Sequence, residues 1–455
     1  MSEHECEYRI ENIALQAEVN TLAKRISEIE TELAKYKGPA KDSGNSSNPP
    51  SKDQNRNCYP EREKSGKKPG GQPGHVGHHH SFTQTPDNEV ACEAPVECEH
   101  CHSRDLTLIE GGEKRQVVDI PEPRVEVTEY QQTQMHCNTC GKVSKSKFPK
   151  GVDSHVQIGE RAQGLAVLLK TNHAVSDDRV VELFSDVFDL KVSKGWVENT
   201  LTKWAQRLLP IYTMLLLGII ASSVVGSDET GNHVNGKKVW TWVFQTVNLV
   251  YFKTVQSRGF KVIEETIGDV FDGTWVSDRL AAQLKLVADF NQWCLAHIIR
   301  DCRFLIQSEN NVWAIQFKQV LTQAIDFRNE QGEQYDPELQ METIKVFEAQ
   351  VNDCFGLDPP KSKKGQTLFT TLRFSQNRLL HFLYDPNVPP TNNDSERPLR
   401  QTKLLQKVFG GFRTLQGAQR YDIFLSIIQS AKRQGLNVLD VLTEKSQLAF
   451  PSLET

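Results

Sequence analysis

The sequence predicts a multidomain α+β protein: an N-terminal coiled coil, a zinc-ribbon-like module, a helix-turn-helix, and an α/β core with a helical insertion. Three observations carry that expectation. Apolar residues recur at heptad spacing near the N-terminus. Two Cys-x-x-Cys pairs follow. From Val224 onward, β-branched and aromatic runs alternate with helical patterns and carry isolated carboxylates.

A chain of 455 residues has room for about three domains. Its net charge of −5 excludes a uniformly basic DNA coat and leaves local basic patches open. Residues Met1 to Cys6 lack the basic and apolar regions of a signal peptide. The most apolar run, Met214 to Gly226, is broken by Ser222 and Ser223 and is too short to span a bilayer. The expected location is therefore cytoplasmic and nucleoid-associated, with no membrane partner. In a reducing compartment, paired cysteines point to metal rather than to disulfides.

Residues 1–37 read as the coiled coil. Asn12, Val19, Ile26 and Leu33 fall at a, and Tyr8, Leu15, Leu22, Ile29 and Tyr36 at d. An Asn at an a position fixes register and a two-stranded state, so a homo-oligomer, a dimer, is expected. Residues 38–85 are rich in Gly, Pro, Asn, Ser, His and Lys and cannot bury enough surface to offset ordering entropy. They read either as a passive linker or as a flexible DNA-contacting arm, with Lys67 and Lys68 among its cations.

Residues 86–150 form the expected zinc module. Cys98-x-x-Cys101 and Cys137-x-x-Cys140 each offer two thiolates, and together they complete a tetrahedral structural site. A strand-like run, Arg124 to Tyr130, lies between the pairs, and a hairpin of strands accounts for the long gap. Cys92, His100, His102 and His136 are alternative ligands nearby. Bound Zn²⁺ supplies on the order of 10 kcal/mol to a module with little core of its own.

Residues 155–212 carry helical periodicity. Ser176, Asp177 and Asp178 start one helix, Asp189 to Val192 make a turn, and Ser193 caps a helix bearing Trp196, Leu201 and Trp204. Helix, short turn and capped helix is the shape of a helix-turn-helix, with Lys194, Asn199, Thr202, Lys203 and Arg207 as its contact face.

Residues 220–300 turn strand-rich. Three consecutive strands, helix, strand, helix, strand, helix is the element order of a ribonuclease-H-like fold. Residues 301–375 read as a helical insertion, 376–435 as the second part of the core and 436–455 as a C-terminal tail. Asp228 follows an apolar run, Asp278 ends the run Thr274 to Ser277, and Glu396 precedes a basic helical pattern. Singly, each is an ordinary turn or cap residue. Together they are the oxygen donors that two Mg²⁺ ions about 4 Å apart require in phosphoryl transfer. Arg397, Arg400, Lys403 and Lys407 lie beside Glu396 on the same helical pattern, placed for DNA phosphate.

Over nearly its full length the chain resembles the large transposase of the insertion sequence 66 family. The matching residues are the N-terminal heptads, Asn45 to Lys52, Pro69 to His75, the four cysteines, Ser227-Asp228-Glu229-Thr230, Cys294-Leu295-Ala296-His297, Asn392 to Arg397 and Phe409-Gly410-Gly411. The resemblance implies a DDE transposase with Asp228, Asp278 and Glu396 as triad, and Cys294 and His297 as a structural signature. It implies metal-dependent cleavage at element ends and 3′-hydroxyl strand transfer into target DNA. Terminal repeats, target DNA and small accessory transposition proteins are the expected partners. One departure is visible: Asp278-Arg279-Leu280 stands where relatives carry Asp-Gly-Tyr. Two rival readings remain, a DNA-binding regulator with a vestigial core and a nuclease that cuts without joining.

Overall fold

The computed structural model describes residues 15–16, 18–26, 28–29, 81–109 and 113–451. Lys67, Lys68 and the remainder of residues 38–80 of the expected arm lie outside them, as do Asn12 and the ends of the heptad run. Residues 18–26 are helical. Val19, Leu22 and Ile26 on that helix are 54–57% exposed, so its apolar stripe is uncovered.

The chain divides into two compact units, one of residues 57–127 with 187–189, the other of the remainder. In the first, Cys98 opens a tight turn: its N–H donates to Ser103 O at 2.8 Å and its carbonyl accepts from His102 N at 2.9 Å. The run Arg124 to Tyr130, expected as a strand, joins no ladder. Val125 and Val127 are exposed, so period-2 alternation here has no buried face to fill.

Beyond residue 127 the second unit carries a small antiparallel hairpin, β1 (Gln134–His136) and β2 (Val143–Lys145), which flanks Cys137 and Cys140. The hairpin thus straddles the second cysteine pair instead of filling the gap between pairs. Three helices follow: α1 (Glu160–Thr171), α2 (Asp177–Phe188) and α3 (Lys194–Ile220). The Ser193 hydroxyl accepts from Trp196 N at 3.1 Å, capping α3 as its sequence requires. Val180, Phe184 and Val197 are buried between these helices.

The core is a five-stranded mixed sheet: β3 (Val224–Val234), β4 (Lys237–Gln245), β5 (Val250–Val255), β6 (Val270–Ser277) and β7 (Val287–Trp293). Their spatial order is β5-β4-β3-β6-β7. The first three strands form an antiparallel meander, and β6 and β7 add in parallel. The helix expected after the third strand is one turn, α4 (Lys261–Glu264). Four helices, α5 (Leu295–Glu309), α6 (Val312–Gln331), α7 (Met341–Cys354) and α8 (Lys363–Arg373), then build a second core around Trp313, Phe317, Phe355 and Phe369. The chain returns to the sheet through α9 (Asn393–Phe409), α10 (Leu415–Arg433) and the short α11 (Val438–Leu442).

The sheet is covered on both faces. Val225, Trp242, Phe244 and Trp275 pack with Leu215 and Ile219 of α3 and Phe424 and Ile428 of α10. Val243 and Phe252 pack with Leu399 and Leu405 of α9. Helix α10 also closes the β5 edge. Asp422, Ser426 and Ser430, one turn apart, accept the N–H groups of Thr254, Phe252 and Val250 at 2.6, 2.9 and 2.9 Å. An open edge would template pairing with another chain, and this helix removes it.

Candidate active site

Asp228 stands within β3 rather than at its end, and Asp278 follows the last residue of β6. Parallel pairing between the two strands runs through Val224–Thr274, Val225–Trp275 and Gly226–Val276. Continuing that register brings residues 228 and 278 together. Glu396 enters from the first turn of α9, on the far side of the helical insertion.

The electrostatics report their proximity. The Asp228 carboxyl is held well above the usual carboxylate range, first by burial, then by the charges of Glu229, Asp278 and Glu396. Its Oδ1 accepts from Glu229 N at 2.8 Å, and Asp278 Oδ1 accepts from Leu280 N at 2.8 Å. Glu396 Oε1 is buried without a hydrogen bond, while Arg300 and His297 lie 3.7 and 3.9 Å from it. Among the described residues, no three His, Cys, Asp or Glu side chains are gathered at metal-coordinating distance. The donor set nevertheless fits hard divalent cations: three carboxylates, one repelled by its neighbours and one with an unsatisfied buried oxygen.

Neighbouring residues fix these carboxylates. Asn392, just before α9, donates its Nδ2–H to Ser227 O at 2.7 Å and its backbone N–H to Cys294 Sγ at 3.1 Å. Ser395 Oγ donates to Asn392 Oδ1 at 2.6 Å. The N-terminus of the Glu396 helix is thereby tied to β3 and to the start of α5. Cys294 is buried, and burial pushes its thiol up. Its part in this arrangement is to accept the Asn392 N–H. Gly226 permits the close approach, because a Cβ there would lie 2.8 Å from Ser395 Oγ and 2.5 Å from Gln245 Nε2.

Four further residues surround these carboxylates. Glu229 is buried and receives Arg258 Nε and a terminal nitrogen at 2.9 and 2.6 Å. Burial, with the charge of Asp278, raises its carboxyl to about 7 despite Arg258. Arg258 in turn lies over the Trp240 ring, 4.4 Å from its centre. Arg279, directly after Asp278, turns to Asp301 on α5. Arg300 on the same helix faces Glu396.

The expected DNA-contacting cations are not equivalent. Lys194 pairs with Asp178. Arg207 is held by Glu160 at 2.8 Å and Glu444 at 2.7 Å. Lys403 donates to Gly231 O, and Arg397 lies 3.7 Å from Asp394. Lys203, Arg400 and Lys407 are exposed.

The two cysteine turns share a local design. Each first cysteine is drawn toward its thiolate by backbone N–H groups, of His100 and Cys101 for Cys98 and of Cys140 and Thr139 for Cys137. The residue after each second pair-member turns in the left-handed region, His102 at φ 58° and Gly141 at φ 70°.

Comparison with known families places these features together. Residues 95–141 match the zinc-finger binding domain of transposase IS66, which supports bound zinc. Residues 1–81 match a family of unknown function. The comparison with curated proteins returns no match. No helix among the described residues is long and apolar enough to cross a membrane. Residues 155–420, more than half of the chain and spanning all three carboxylates, match the Transposase IS66 family. The chain therefore belongs to the Transposase IS66 family, whose members are DNA-cutting enzymes with DNA as partner.

Proposed function

We propose that the chain is a DDE transposase that nicks DNA at the ends of its element and joins the freed 3′-hydroxyl to target DNA. The observation that carries this reading is the crowding of Asp228 by Asp278 and Glu396, from three elements distant in sequence. The strand order β5-β4-β3-β6-β7 supports a ribonuclease-H-like core beneath the triad. Asp228, Asp278 and Glu396 would hold two Mg²⁺ ions, which would supply activation of the attacking oxygen and stabilisation of the leaving one. Asp228 and Asp278 are positioned by adjacent strands, and Glu396 by the Asn392 anchor. Burial, then Arg300, lower the basicity of His297 beside Glu396.

Around that core, Cys98, Cys101, Cys137 and Cys140 are the proposed ligands of one structural Zn²⁺. The zinc module, the basic arm and the α2–α3 region bind the terminal repeats, and Arg400 and Lys407 meet phosphate beside the triad. The heptad helix, with its apolar stripe uncovered, pairs two protomers so that both ends are processed together.

The test is a strand-transfer assay with purified protein, Mg²⁺ and a labelled element end, run beside Asp278→Ala. Joined product from the wild type alone is the expected result. Specific DNA binding with no cleavage, even with accessory proteins added, would make the chain a regulator instead.

A further inference from the structure

Helix α5 touches both arms of the candidate site. Its Asp301 pairs with Arg279, directly after Asp278, and its Arg300 points at Glu396. The two contacts differ in kind. Arg279 is engaged in a close charge-assisted hydrogen bond with Asp301, and Lys364 stands 3.9 Å from the same carboxylate. Arg300 stops 3.7 Å from Glu396 Oε1 and makes no hydrogen bond to it, although that oxygen is buried and has no other hydrogen-bond partner. The guanidinium compensates the carboxylate's charge without claiming its lone pairs. About three-quarters of each side chain is covered, with exposures of 23% and 26%, so the attraction is little screened.

We propose that Arg300 is an exchangeable counter-ion: it neutralises Glu396 in the metal-free site, is displaced when a divalent ion takes that oxygen, and then binds the scissile phosphate. This inference rests on the reading of Glu396 as a metal ligand. Arginine suits both states, because its planar fork matches a carboxylate and a phosphate equally well and stays charged throughout. No bond is made or broken in the exchange; a cation is replaced at Glu396 by another cation, and the released guanidinium meets the incoming anion. Its consequence is ordering. DNA and metal load together, because the arginine that metal displaces is the one that the phosphate requires.

The experiment measures Mn²⁺ binding to the full-length, zinc-loaded protein by electron paramagnetic resonance of free Mn²⁺. Wild type, Arg300→Gln, Arg300→Lys and Glu396→Gln are compared, followed by element-end binding in the presence of Ca²⁺. Arg300→Gln should bind Mn²⁺ about tenfold more tightly than wild type, because a competing positive charge is gone. Arg300→Lys should fall near wild type in Mn²⁺ affinity. Arg300→Gln should also bind end DNA several-fold more weakly, with its log–log salt slope reduced by about 0.9. A purely structural arginine would do the opposite, lowering thermal stability and Mn²⁺ affinity together. Unchanged or weaker Mn²⁺ binding by Arg300→Gln overturns the inference while leaving the metal site standing, provided that Glu396→Gln loses Mn²⁺. Tighter Mn²⁺ with undiminished DNA binding overturns the hand-over to phosphate. No saturable Mn²⁺ binding in any variant overturns both the inference and the reading beneath it.

Discussion

Asp228 and Asp278 each lie two residues beyond the same parallel pair, Gly226 and Val276, on adjacent strands. The sheet itself therefore delivers both carboxylates to one point, and the cost is burial of Asp228 followed by like-charge repulsion. Asp228→Asn should remove that repulsion. The metal-free variant is expected to melt about 2–4 °C above wild type while losing end cleavage by about a hundredfold or more. Calorimetry beside a cleavage assay checks both halves. A variant that is less stable and still active would mean that Asp228 has only a structural part.

Gly226→Ala should disturb the same site from behind. Its new Cβ would lie 2.8 Å from Ser395 Oγ and 2.5 Å from Gln245 Nε2, so Gln245 must swing aside and Ser395, in the first turn of the helix that carries Glu396, must turn or shift. The expected loss is about 1–3 kcal/mol in chemical denaturation, typical of overpacking. Adding Gln245→Ala, which relieves the closest contact, should recover part of it.

How far this site was legible in the sequence depends on the distance over which each signal acts. The acids at 228, 278 and 396 stand out because they interrupt apolar runs or precede a helix, which are local features. The α2–α3 helices were readable from their periodicity, and Ser193 from its capping position. The Arg258–Glu229 and Arg300–Glu396 pairings gave no signal, because each forms only when the sheet and α5 are assembled. Arg124 to Tyr130 misled for the converse reason: alternation marks a strand only where a partner and a buried face exist. The Asp422, Ser426 and Ser430 edge closure was equally invisible, since polar residues at helical spacing ordinarily mark a solvated face.

The cysteine turns allow a direct test of zinc. Cys98→Ser and Cys137→Ser should each lower bound zinc from about one ion per chain toward zero, measured by elemental analysis of the purified protein. DNA binding should weaken in parallel, while the near-ultraviolet signal of the tryptophan-rich sheet core persists. Full zinc retention in either variant would reassign the ligands, with His100, His102 and His136 the next candidates.

Exposed and engaged cations should separate by salt dependence. Lys407→Ala and Arg400→Ala are expected to lower the log–log salt slope of DNA binding by about 0.9 each without changing stability. Arg207→Ala should behave differently, because Glu160 and Glu444 already hold that guanidinium. Its main effect is a lower melting temperature. A full unit of salt slope lost from Arg207→Ala would show that it leaves its carboxylates for DNA.

The Asp422 network yields the clearest dependence on pH. Asp422 Oδ2 accepts the Thr254 N–H, and its Oδ1 lies 2.7 Å from Thr254 Oγ1, which is 2.8 Å from Thr241 Oγ1. Asn232 continues the chain at 3.2 Å. Burial raises the Asp422 carboxyl from 3.8 to about 7. Between those values the folded chain holds a proton that the unfolded chain has released, so this group's contribution favours folding at low pH and declines as pH rises toward 7. Above about 7 it is level. Protonated, Oδ1 donates to Thr254 Oγ1, whose own hydroxyl then turns to Thr241. An asparagine can make the same bonds through Nδ2. Asp422→Asn should therefore keep the fold and flatten the fall in melting temperature between about pH 5 and pH 7. Ser426→Ala, which leaves the Phe252 N–H without its acceptor, should instead cost about 1–3 kcal/mol at every pH. Glu229, also raised to about 7, titrates in the same window, so Glu229→Gln is the necessary companion. If the asparagine variant retains the whole slope and the glutamine variant abolishes it, the proton belongs to Glu229 and not to the edge closure.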